Sequence, residues 1–127
     1  MSAAKALLLA AASGAVALGA LAAAAQPAGD PAKGADVFND RCTDCHTLGA
    51  TSQGPDLVGV VGRKAASLPD YPYTDALRGS GLTWTPDNLD RFLSGPRQLV
   101  PGTAMDAIVP TEDERRDLIA YLAAAKS

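Results

Sequence analysis

The sequence predicts an all-α domain of three to five short helices joined by long loops, and three observations carry that prediction. Helix-start patterns recur at Asp30-Pro31, at Thr85-Pro86 and at Thr111, with Glu114 three residues on. A capping oxygen followed by a residue already suited to the first turn is the usual opening of a helix. No stretch of the folded part alternates apolar with polar residues as a half-buried strand does. From Thr47 to Tyr73 the chain is rich in Gly, Pro, Ser and Asp and holds no sustained period. A loop of that length in a small domain is uncommon unless it wraps something.

The elements follow in order. Asp30 caps a helix from Pro31 to about Arg41, in which Gly34 and Phe38, four apart, share one face. Thr74 to Arg78 is long enough for one further turn. Thr85 and Pro86 open a helix over 86–94, which Gly95-Pro96 brings to an end. Thr111 and Glu114 form a capping box for a last helix that runs to about Ala125. Its apolar stripe is Leu118, Tyr121, Leu122 and Ala125, with Arg115, Arg116 and Lys126 mostly off it. So few short helices bury little between them, so something besides side chains is expected to fill the middle.

A chain of 127 residues holds one core. Lys5 followed by the apolar run "ALLLAAASGAVALGALAAAA" has the layout of a secretory leader with an A-x-A cleavage site near Ala25. The division expected is a leader over 1–25 and a domain over 26–127, exported to a bacterial periplasm. An uncleaved membrane anchor is the alternative. The run is mostly alanine, which drives insertion weakly, and only "QPAGD" separates it from the first helix. Removal of the leader takes Lys5 with it, leaving 102 residues with ten basic and fourteen acidic side chains, a formal charge of −4. Nucleic acid needs a basic surface and is excluded as a partner.

The chemistry is concentrated in "NDRCTDCHTLG", which contains both cysteines, Cys42 and Cys45, and the only histidine, His46. A C-x-x-C disulfide closes too small a loop to be a good staple. A dithiol redox site wants a βαβ setting that is missing, and zinc wants a fourth ligand. C-x-x-C-H is the pattern of covalent haem c attachment. Two thiols three residues apart add to the two vinyl groups on one haem edge, and the adjacent imidazole meets the iron. An acceptor must orient the other ring nitrogen. Met1 leaves with the leader, so Met105 in "VPGTAMD" is the one remaining thioether. It follows a Pro-Gly turn able to aim it inward. Core filler is the plainer reading of a lone methionine; as second axial ligand it would close the iron.

Together, "GDPAKGADVFNDRCTDCHTLG", "GPDLVGVVGRK", "YTDALRGSGLTW", "PGTAM" and "ERRDLIAYL" resemble a class I cytochrome c of the mitochondrial and bacterial periplasmic type, from Asp30 to Leu122. The resemblance implies a helical fold around one buried haem. Gly34 and Phe38 would meet Leu118 and Tyr121 where the first and last helices cross. Pro55 would offer its carbonyl to the His46 ring. Arg63, Tyr73 and Trp84 match positions that bond the inner propionate, and Thr103 matches a threonine near the methionine and the haem edge. Phe92 stands where many relatives have a tyrosine, Ala104 replaces a lysine before the methionine, and Gln98 replaces another near the haem edge. Arg41 and Arg97 remain at basic docking positions, so the partner-facing charge is expected to be thinned.

A closed His/Met iron has no site for substrate. The function this implies is a soluble, monomeric single-electron shuttle that docks transiently on membrane or periplasmic redox complexes, and not an enzyme. The rival readings are a haem-bearing subunit of a larger oxidoreductase and a peroxidase-like enzyme, the latter requiring an open sixth position.

Overall fold

In the computed structural model, which describes residues 8–17, 19 and 28–126, Asp30 opens the first helix. Its carboxylate accepts from the backbone N–H of Ala32 and Lys33, and Pro31 occupies the first turn, where its missing N–H costs nothing. Helix α1 runs Pro31–Arg41; α2, Asp75–Arg78, is capped by Thr74; α3, Pro86–Ser94, is capped by Thr85. Helix α4, Pro96–Leu99, follows at once, and α5, Glu112–Ala124, is capped by Thr111. Among the described residues there are no strands, only isolated bridges at Thr47–Ala50 and Lys64–Thr83.

Two expectations change. Gly95-Pro96 does end α3, but the same proline starts α4, because its fixed φ suits a first helical position as well as it breaks a preceding one. The capping box at α5 is rearranged: the Thr111 hydroxyl takes the Glu114 N–H at 3.3 Å and donates to the Glu114 carboxylate at 3.0 Å. That bond, with Arg41 nearby, holds the Glu114 carboxyl below the usual range.

Helices α1 and α5 cross where Gly34 lies against the backbone of Asp117 and the Cβ of Tyr121. Above that contact the Phe38 and Tyr121 rings pack with centroids 5.5 Å apart, and Leu118 is completely buried. The crossing is tied at its edges by Asp30 N–H to the Asp117 carboxylate at 2.7 Å and by Arg41 to Glu114 at 3.3 Å. Leu89, Phe92 and Leu93 turn the buried face of α3 toward α5, and Trp84 packs on Phe92 with tilted rings whose centroids are 4.8 Å apart. Arg115, expected off the buried stripe, is only 12 % exposed: it reaches Asp90 of α3 at 2.7 Å and the carbonyls of Val109 and Pro110. Those three hydrogen bonds, one of them to a carboxylate, make burial of the charge tolerable.

Residues 8–17 carry no regular secondary structure and are exposed. The cleavage site near Ala25 and the basic Lys5 lie outside the described residues. Among the described residues no helix is long and apolar enough to cross a membrane.

Candidate functional site

The turn that carries Cys42, Cys45 and His46 grows from the end of α1. The Cys42 N–H still bonds Phe38, and the Cys42 carbonyl accepts from both Cys45 N–H, at 3.1 Å, and His46 N–H, at 2.8 Å. One tight turn therefore holds the three side chains. Both thiols are free, Cys45 exposed and Cys42 half-buried against the core. Burial pushes the Cys42 thiol up to about 11, offset by the Arg41 guanidinium and reinforced by Cys45.

The loop beyond folds back onto this turn. Gly54 N–H and the Ser52 hydroxyl both donate to the Cys45 carbonyl, at 2.7 and 2.8 Å. Gly54 lies flat against the imidazole: a Cβ there would overlap Cε1 and sit 2.6 Å from Nδ1. Pro55 follows, its carbonyl 2.9 Å from His46 Nδ1. A carbonyl oxygen only accepts, so Nδ1 carries the proton and Nε2 is left with its lone pair. The loop is fastened from outside by Tyr71, whose hydroxyl donates to the Gln53 carbonyl at 2.7 Å, and by Thr51 to Asp70 at 2.8 Å.

The remaining candidates are gathered by backbone pairing of 62–65 with 82–84. Gly62 N–H bonds Trp84 at 2.8 Å, Trp84 N–H bonds Arg63 at 2.8 Å, and Ala65 N–H bonds Leu82 at 2.9 Å. Arg63 and Trp84 thereby become neighbours. The Arg63 guanidinium donates to the carbonyls of Val58 at 3.1 Å and Asp56 at 2.8 Å, which ties down the loop after Pro55 and leaves further N–H groups in hand. The Tyr73 hydroxyl is pushed up chiefly by burial, opposed by a backbone bond at Leu68 and by Arg63 close by.

Pro101 and Gly102 make the turn before Met105. Gly102 has φ +93°, and Thr103 N–H returns to the Val100 carbonyl at 3.0 Å, which is a type II turn with glycine where the positive φ is required. Thr103 is buried, and Met105, half-buried, packs against the core. Arg41 and Arg97 each have an acidic partner, Glu114 at 3.3 Å and Asp106 at 3.5 Å. Sequence reasoning missed Gly54 and the Arg115–Asp90 pair. The Gly-Pro dipeptide marks the first, but nothing local marks the second.

Two free thiols and a nitrogen lone pair on one turn form a donor set that fits covalent attachment and ligation of a haem c. A small helical fold built around such a turn defines a single-haem electron-transfer domain. The comparisons agree: the family described as Cytochrome c matches residues 31–126. A cytochrome c of Theileria annulata is 48 % identical over 105 residues, covering 80 % of this chain and 90 % of its own. A cytochrome c2 of Rhodomicrobium vannielii is 45 % identical over 105 residues, covering 80 % and 83 %. Among solved structures, cytochrome cH from Methylobacterium extorquens superposes with a TM-score of 0.72 at 40 % identity, covering 76 % of this chain and 99 % of that one. The chain belongs to the cytochrome c family, with the class I fold: an electron carrier, not an enzyme, that holds one covalent haem c and passes electrons to redox partners.

Proposed function

We propose that the chain is exported to a bacterial periplasm, loses residues 1–25, and shuttles single electrons between redox complexes as a monomer, its iron held between His46 and Met105. The observation that carries this reading is the 2.9 Å contact of His46 Nδ1 with the Pro55 carbonyl, which prepares Nε2 as a donor. When bound, haem c supplies a one-electron couple at its iron. Cys42 and Cys45 anchor it through thioether bonds. Met105 offers its thioether from the turn that Gly102 makes, and thioether ligation raises the potential, as is general for cytochromes c. Arg63 and Trp84, neighbours through their backbone pairing, and Tyr73, whose hydroxyl feels Arg63, would donate to a propionate, whose burial requires a charge partner. Thr103 lies buried two residues before Met105. The leader-like N-terminus and the likeness to bacterial c2 and cH proteins support the location.

The test is the far-red absorption of the oxidised holoprotein beside that of Met105→Ala. A weak sulfur-to-iron band is expected in the first and not in the second. Its absence from the parent protein at neutral pH would remove Met105 as a ligand and move the peroxidase-like reading ahead.

The pairing of Arg41 with Glu114 and of Arg97 with Asp106 compensates both candidate docking cations. Stopped-flow reduction by the physiological donor is therefore expected to change less than about threefold between low and physiological ionic strength. Steering by an uncompensated charged face would give roughly ten- to thousand-fold. A steep decline with salt would show that other charges set the docking.

A further inference from the structure

From Ala104 to Pro110 the chain that carries Met105 has few ties. Among the described residues its only backbone–backbone bond is Val109 N–H to the Leu93 carbonyl, at 2.9 Å. The Arg97–Asp106 pair, at 3.5 Å, is between side chains that are each more than half exposed. Such a pair contributes little. The remaining ties come from a single side chain. Arg115 Nη1 donates to the Val109 and Pro110 carbonyls, both at 3.0 Å, while its Nε donates to Asp90 at 2.7 Å. The Arg115 side chain is 12 % exposed and Val109 is 3 % exposed.

We propose that Arg115 is a positioning residue for Met105, fastening the far end of the Met105 segment to α3 and α5 and so holding the thioether in place. The inference rests on the ligation by Met105 proposed above. Its argument is an equilibrium between a closed segment and one swung away. The near end is fixed by the Val100–Thr103 turn, so the segment swings away as a whole only if its far end at Val109–Pro110 gives. Without Arg115 both carbonyls there lose their charged donor, which removes two hydrogen bonds from the closed form and favours turning the carbonyls to water. A competing ligand binds only when the thioether has left, so its apparent affinity scales with the open fraction. An arginine that merely clamped α3 to α5 would lower the unfolding temperature and leave ligand exchange in the folded protein unchanged.

The experiment titrates the oxidised holoprotein with imidazole, following loss of the far-red band, with far-UV dichroism as the control for folding. Arg115→Met is expected to bind imidazole about tenfold more tightly than the parent at an unchanged helical signal, the net of losing two bonds whose carbonyls regain water once the segment opens. Arg115→Lys, which keeps the charge and one donor, is expected to fall between. Affinity for Arg115→Met within about twofold of the parent overturns the inference. If that variant does not fold, Asp90→Asn is read in its place: it leaves the carbonyl bonds but loosens the guanidinium. A gain of about threefold supports the proposal and none overturns it. Met105→Ala separates the two layers. If it binds imidazole far more tightly while Arg115→Met does not, only the positioning role falls. If it binds no better than the parent, the ligation and the positioning role fall together.

Discussion

Gly34→Ala is expected to lower the melting temperature of the holoprotein by about 10 °C, although alanine is the better helix former. In the middle of a helix the exchange ordinarily gains about 1 kcal/mol. Here the added Cβ would overlap the Asp117 carbonyl oxygen and lie 2.6 Å from its carbon and 2.7 Å from the Tyr121 Cβ. Two of those atoms are backbone and cannot rotate aside, so α1 and α5 must separate. Overpacking of that kind costs up to about 3 kcal/mol, and it wins by about 2 kcal/mol. At roughly 4–8 °C per kcal/mol for a domain of this size, calorimetry should resolve the shift easily. Gly34→Val should fall further. A melting temperature equal to or above that of the parent would mean that the crossing yields freely and does not hold the fold.

At the site, Gly54→Ala is expected to disturb His46, the proposed ligand, more than any other single methyl group added. The new Cβ would overlap Cε1 of His46 and lie 2.6 Å from Nδ1 and 2.9 Å from Nε2. The ring cannot retreat without lengthening its 2.9 Å bond to the Pro55 carbonyl. On the ligation proposed here the sign follows. A weaker bond to Nδ1–H makes the imidazole a poorer donor, which stabilises oxidised iron less, so the midpoint potential rises. Loss of such an outer partner costs about tenfold in affinity; borne by the oxidised state alone, that shifts a one-electron couple by about 60 mV. Potentiometric titration of the variant measures it. An unchanged potential would show that the loop shifts with the ring.

These glycines show what could and could not be read from the chain alone. Helix starts were legible because each depends on residues within four positions: Asp30 or Thr85 beside a proline, Thr111 before Glu114. The C-x-x-C-H turn was legible for the same reason. Helix α4 was not, because Gly95-Pro96 ends one helix and begins another with the same two residues. Arg115 falls mostly off the apolar stripe, and its burial was not legible because its partner Asp90 lies 25 residues away and no local pattern announces a pair formed across helices. Gly54 has only the Gly-Pro dipeptide as a local mark. Its closeness to the imidazole exists only once the loop has folded back. Arg63 matched a propionate-binding position, yet it also holds two carbonyls of its own loop. That second task belongs to the packed loop and not to the motif.

The crossing of α1 and α5 joins residues 87 positions apart through the bond of Asp30 N–H to Asp117. A chain synthesised from its N-terminus therefore has both thiols and the histidine exposed long before the element that closes over α1 exists. Contacts of such long sequence separation also form late, since the loop must be ordered before they contribute. Docking of α5 on α1 is therefore the step that ties the two ends of the domain together.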